Sequence, residues 1–122
     1  MAYALENLGL DHATELVVTG SSAGGLSTFL HVDRVAEAVR KVEPSIIVKG
    51  APIVGYFLDH ADVGTPNNSY TKRMQYIYGM QSLQAAGSLD PECLRDFAQT
   101  PWFCFMSPHM QVTQLALFLV CN

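Results

Sequence analysis

Two periods of hydrophobicity run along this chain. Leu26, Phe29, Leu30, Val32, Val35, Ala36, Val39 and Val42 recur at three- and four-residue steps, with Asp33, Arg34, Glu37, Arg40 and Lys41 between them. A helix of 3.6 residues per turn gathers those apolar positions into one stripe, so the spacing predicts a long amphipathic helix. Pro44 ends it, because proline pushes the preceding residue out of the helical region. Short β-branched runs lie on either side. Glu15–Thr19 reads as a short buried strand that stops at Gly20, and Ser45–Lys49 as a second strand. Strand, glycine-rich turn, helix and strand in that order make a βαβ unit. Such units build parallel sheets covered by helices.

The remaining pattern is weaker. Leu5, Leu8 and Leu10 are spaced like a short amphipathic helix over Tyr3–Leu10, and Asp11 or Thr14 could open a turn after it. A polar stretch bearing Pro, Gly and Asn follows Gly55–Asp59 and runs through Ser69. Helical spacing returns from Thr71 to about Ala86, and Pro91 opens another short helix to Phe97. Leu115–Val120 is a continuous apolar run of strand length. No repeat or linker divides residues 1–122, which read as one α/β domain.

Composition removes several classes of function. The formal net charge is -4 and the seven basic residues are scattered, which argues against a nucleic-acid partner. No apolar run reaches the roughly 18 residues of a membrane span. The segment Met1–Glu6 has no basic region and meets an acid early, so it does not read as a signal peptide. Cys93, Cys104 and Cys121 are an odd count that fixes no compartment. No H-E-x-x-H, C-x-x-C or H-x-H spacing suggests a metal.

The chemistry concentrates at Gly20-Ser21-Ser22-Ala23-Gly24-Gly25. Gly20-x-Ser22-x-Gly24 fits the G-x-S-x-G pattern of a serine nucleophile, with a strand before it and a helix after it. A sharp turn there lifts the serine hydroxyl from the end of the sheet. The strained backbone leaves little room beside it, which accounts for glycine two residues before and two after, and for the small Ala23. The Ala23 N–H would be an oxyanion donor, helped by the positive end of the following helix. The same glycines could simply make a tight strand–helix turn. Nucleotide loops fit worse. Ser22 occupies the second glycine of G-x-G-x-x-G, and no Lys-Ser/Thr follows as a P-loop needs. No cofactor is expected.

Further motifs carry a resemblance. Gly20–Gly25 followed by Leu30-His31-Val32-Asp33-Arg34-Val35 resembles the pectin acetylesterase family, which takes in Notum-like carboxylesterases. Val48-Lys49-Gly50 leading to Gly55-Tyr56-Phe57-Leu58-Asp59 is similar to the family's segment ending in G-[FW]-F-L-D. Met74–Tyr78 with Leu83-Gln84, Pro91-Glu92-Cys93, Trp102-Phe103-Cys104-Phe105 and the apolar run before Asn122 extend the similarity over nearly the whole chain. The resemblance implies an α/β-hydrolase fold, a mostly parallel sheet with flanking helices, and a Ser-His-Asp mechanism. It implies Ser22 as nucleophile, Ala23 as an oxyanion donor and a possible disulfide between Cys93 and Cys104. The implied substrate is an O-acetyl ester of cell-wall polysaccharide, or alternatively a protein-borne or lipid acyl ester, and the implied location is extracellular or the cell wall.

The resemblance also marks departures. It puts the family's catalytic aspartate and histidine beyond Asn122 and its first oxyanion segment before Met1. Ile53 stands where the family usually has an aspartate. The chain then holds one triad member of three and reads as an incomplete domain, either a piece of an esterase or an inactive pseudo-esterase. His12, His31, His60 and His109 do not align with the family's histidine. His31 is expected to pack or hydrogen-bond on the helix after the turn. A relay between neighbours Asp59 and His60 is not expected, and Asp59 is assigned to orienting a loop near the site. Tyr70, Tyr76 and Tyr78 could line a sugar cleft, but their spacing fits half-buried packing positions better. Cys121 is read as a core residue.

Overall fold

The computed structural model describes residues 2–87, 89–110 and 117–118. They group into two compact units. The first holds the residues up to Gly55 together with 117–118, and the second those from Tyr56 onward to Met110.

The first unit is the βαβ arrangement. Helix α1 spans Ala2–Asn7, and a single 3-10 turn over Leu10–His12 follows it. Tyr3 and Leu8 are exposed, so the predicted amphipathic helix does not bury a stripe through them. Strand β1 (Glu15–Ser21) runs parallel to β2 (Ile47–Ile53), in register from Glu15 opposite Ile47 to Ser21 opposite Ile53. Strand β3 (Leu117–Phe118) pairs parallel with the other side of β2, opposite Lys49 and Gly50. The rest of the predicted Leu115–Val120 strand lies outside the described residues.

Helix α2 (Ala23–Arg40) connects β1 to β2 and covers one face of the sheet. Its stripe of Phe29, Val32, Ala36 and Val39 is buried. Val32, Ala36 and Val39 meet Ile46 and Val48, with Ala13, Leu16, Val18 and Val35 packed at the edge. Each such large side chain contributes about 1.5–3 kcal/mol on removal from water, so this stripe holds helix to sheet. Glu15–Thr19 is not buried on both faces. Leu16 and Val18 face the helix while Val17 is exposed, and β2 alternates in the same way. On the outer face, Lys49 Nζ pairs with Glu15 Oε1 at 2.6 Å across the two strands.

The second unit is helical and cross-linked. Helix α3 (Ser69–Met80) starts at Asn68, whose side chain accepts the Thr71 N–H. It stops short of Ala86. Residues 81–87 form turns, and Ser82 takes a left-handed φ of 50° that a helix cannot continue through. Helix α4 (Pro91–Asp96) has Pro91 at its first position and Asp90 as its cap, which accepts the Cys93 N–H at 2.7 Å. A 3-10 turn over Pro101–Phe105 and the short helix α5 (Ser107–Met110) follow. A disulfide joins Cys93 to Cys104, both fully buried. No described helix is long and apolar enough to cross a membrane.

Candidate active site

Ser22 sits between the last residue of β1 and the first residue of α2, with φ 54° and ψ -117°. Only glycine occupies this region without cost, and holding serine there takes of order 1–3 kcal/mol. The strain has a chemical consequence. A serine at a helix N-cap ordinarily turns its hydroxyl back onto the helix N–H groups. Ser22 makes no such capping bond and its side chain is exposed. The hydroxyl therefore faces solvent at the carboxyl end of a parallel strand, the side of such sheets where ligands bind.

Backbone contacts hold this turn. The Ser22 N–H donates to the Ile53 carbonyl of β2 at 2.9 Å, and the Leu26 N–H donates to the Ser22 carbonyl at 3.1 Å. The second bond closes the first turn of α2. Ala23 lies inside that turn, where an N–H has no carbonyl four residues back within the helix. It can serve an oxyanion, in the positive field of the helix end. Ser27 and Thr28 direct their hydroxyls to the Ala23 and Gly24 carbonyls, each at 3.0 Å.

The glycines divide differently from the simple expectation. A Cβ on Gly20 would lie 2.5 Å from the Gly24 carbonyl oxygen, so Gly20 is required by the passage of α2 over the strand end. A Cβ on Gly24 would meet nothing within 4 Å. The crowded residue on the helix is Gly25. Its Cβ would stand 2.7 Å from both the Gly55 Cα and the Ile53 oxygen, while a Cβ on Gly55 would stand 2.3 Å from the Gly25 carbonyl carbon. Gly25 and Gly55 thus clamp the first turn of α2 to the end of β2. Gly55 was visible as part of the G-[FW]-F-L-D resemblance, but only the folded chain pairs it with Gly25.

Within the first unit, neither His12 nor His31 is hydrogen-bonded to Ser22. His12 lies 3.6 Å from Asp11 on the surface. His31 is on the exposed face of α2, where partial desolvation and then the Arg34 charge hold its pKa below the usual imidazole value. His60 directs Nδ1 to the neighbouring Ala61 carbonyl rather than to Asp59. Asp59 pairs instead with His109, fifty residues on, at 3.3 Å. Its other oxygen accepts the Thr71 hydroxyl and the Asn68 amide. Those contacts, the Thr71 hydroxyl foremost, hold the carboxyl below the usual carboxylate range. His109 stacks on Phe103 with ring centroids 4.4 Å apart and meets Phe97 edge-on at 5.2 Å.

Of the tyrosines, Tyr76 is 70% exposed, so it is a surface residue rather than a half-buried one. Tyr70 is half-buried and stacks on Phe57 at 5.7 Å, and Tyr78 donates its hydroxyl to Gln84 at 3.3 Å. Among the described residues, no group of three His, Cys, Asp or Glu side chains could hold a metal ion. Cys121 lies outside the described residues.

A serine strained at positive φ, between a parallel strand and the helix that covers its sheet, defines an α/β-hydrolase-like protein. The crystal structure of the Wnt deacylase Notum from Drosophila matches 98% of this chain and 34% of its own, with a TM-score of 0.80 at 25% identity. Human palmitoleoyl-protein carboxylesterase NOTUM (Homo sapiens) is 36% identical over 109 residues, which cover 80% of this chain and 20% of that protein. Pectin acetylesterase 4 of Arabidopsis thaliana is 34% identical over 92 residues, which cover 74% of this chain and 20% of that protein. The family profile described as Pectinacetylesterase matches residues 1–122. The chain belongs to the pectinacetylesterase family. It spans about 20% of the length of these curated relatives.

Proposed function

We propose that this chain supplies the nucleophile of a carboxylic ester hydrolase, and that the nucleophile is Ser22. The observation that carries the reading is the uncapped, exposed Ser22 hydroxyl at φ 54° on the strand–helix turn. In this mechanism Ser22 Oγ attacks the ester carbonyl carbon as a general base takes its proton. The carbonyl oxygen gains negative charge and accepts the Ala23 N–H. The alcohol leaves with a proton, and water then cleaves the acyl-enzyme. The base is assigned to none of the four histidines of this chain.

For the substrate we infer an O-acetyl ester on cell-wall polysaccharide, which the family description supports. A second reading, a longer acyl ester on a protein, is favoured by the palmitoleoyl-protein carboxylesterases among the relatives. The buried Cys93–Cys104 disulfide supports export to an oxidising compartment in either case.

The test uses the intact natural protein on chromogenic esters from acetyl to long-chain acyl. Ser22→Ala should lower kcat/KM by about a thousandfold or more, since removing a triad serine leaves only residual catalysis. Equal rates would remove Ser22 as nucleophile. A preference for acetyl over long-chain esters supports the polysaccharide reading, and the reverse order supports the second.

A further inference from the structure

One residue beyond β2, Val54 holds φ at 50°. A β-branched side chain reaches this left-handed region only against steric repulsion from its own backbone. Its side chain is 75% exposed, so packing does not compensate. The constraint comes from the peptide groups on either side. Before Val54, the Ile53 carbonyl accepts the Ser22 N–H at 2.9 Å. After it, Gly55 lies so close to Gly25 that a Cβ on either would overlap the other's backbone. Ser22 and Val54 are thus two residues at positive φ on the ends of neighbouring strands, coupled through one hydrogen bond.

Glycine would sit at this φ without cost. Valine there restricts the backbone where glycine would free it. Strain of this kind persists only where the surrounding structure over-determines it, and it clusters at functional sites. We propose that Val54 is a positioning residue for the nucleophile. The Ile53–Ser22 hydrogen bond and the Gly25–Gly55 contact hold Val54 at positive φ. Its branched side chain leaves that backbone a narrower range than glycine would. That limits the swing of the Ile53 carbonyl away from the Ser22 N–H and keeps Ser22 in the turn that leaves its hydroxyl uncapped. This inference rests on the reading of Ser22 as nucleophile.

The experiment compares Val54→Gly and Val54→Ile with wild type in the intact natural protein. Inactivation by a fluorophosphonate reads the attack by Ser22 without requiring the natural substrate. Glycine relieves the steric cost, so V54G should melt no lower than wild type. It should nevertheless be inactivated about five- to tenfold more slowly, because small misplacements of a reacting group cost rate. The Ser22 amide should exchange with solvent correspondingly faster. V54I keeps the β-branch and should stay within about twofold of wild type, as the conservative rescue. An unchanged inactivation rate in V54G overturns the proposal, and so does a loss in V54I as large as in V54G. A wild type that the reagent does not modify removes the reading of Ser22 itself. Normal wild-type inactivation with an unchanged V54G removes only the role of Val54.

Discussion

The two units of this chain hold their loops still by opposite means. Around Ser22 the work is done by backbone against backbone. Gly25 and Gly55 touch with no side chain between them, and the Ile53 carbonyl fixes the Ser22 N–H. In the second unit it is done by side chains. A disulfide ties Cys93 to Cys104, and Asp59 gathers Thr71, Asn68 and His109 from two helices and the loop before them. Backbone contact at this distance tolerates no added atom. Side-chain contact can be trimmed at a graded cost.

That contrast predicts the order of mutational effects. Gly55→Ala puts a methyl group 2.3 Å from the Gly25 carbonyl carbon, and neither backbone can move without shifting a strand end or a helix. The loss should be about 3 kcal/mol or more, at the upper end for overpacking. Gly24→Ala, one position before Gly25, meets nothing within 4 Å and replaces glycine in a helix. It should stabilise by about 0.5–1 kcal/mol. Urea unfolding midpoints of the two variants check the pair. A tolerated G55A would break the account of the clamp.

Removing the disulfide should come next. Cys93 and Cys104 are separated by 11 residues, and closing a loop of about that length restricts the unfolded chain by about 2–3 kcal/mol. Cys93→Ser with Cys104→Ser should lose that much, with faster hydrogen exchange over Pro91–Phe105. The same loss in a reduced wild type, with none further in the double variant under reducing conditions, would tie the effect to the bond itself.

The same contrast explains what could be read from the sequence. The βαβ order and the turn at Ser22 were legible because local period and glycine spacing determine them. Leu16, Val18, Val32, Ala36 and Val39 all fall on the faces their spacing requires. The G-x-S-x-G spacing points to crowding at both Gly20 and Gly24. Gly20 is crowded but Gly24 is open, because the second close contact falls on Gly25 through a partner thirty residues away. Val54 carried no signal, since nothing in a β-branched residue announces a positive φ. Asp59 and His60 are not expected to pair as neighbours, and His60 does turn to the Ala61 carbonyl. The actual partner of Asp59, His109, comes from a helix of four residues that no periodicity could reveal. The early end of α3 depends on the left-handed Ser82, a backbone choice that its apolar spacing does not encode.

The smallest effect tests the side-chain half of the comparison through pH. The Asp59 carboxyl is held below its ordinary pKa, first by the Thr71 hydroxyl and then by Asn68 and His109, against an opposing contribution from desolvation. A carboxyl whose pKa is lower folded than unfolded binds fewer protons in the folded state over the interval between the two values. Its stabilisation is complete above the unfolded value of about 3.9 and disappears as pH falls through the folded value. Asp59→Asn keeps the shape but cannot accept the Thr71 and Asn68 donors with a full charge. At neutral pH it should cost about 1 kcal/mol, near the low end for bonds to a charged group because solvent reaches this carboxylate. As pH falls from neutral through the folded value of the carboxyl, the wild type should lose more of its Tm than D59N does, and the two curves should converge at the acid end. Parallel curves throughout that interval would show that the Asp59 charge contributes nothing, leaving the disulfide and the aromatic contacts of His109 to hold the second unit.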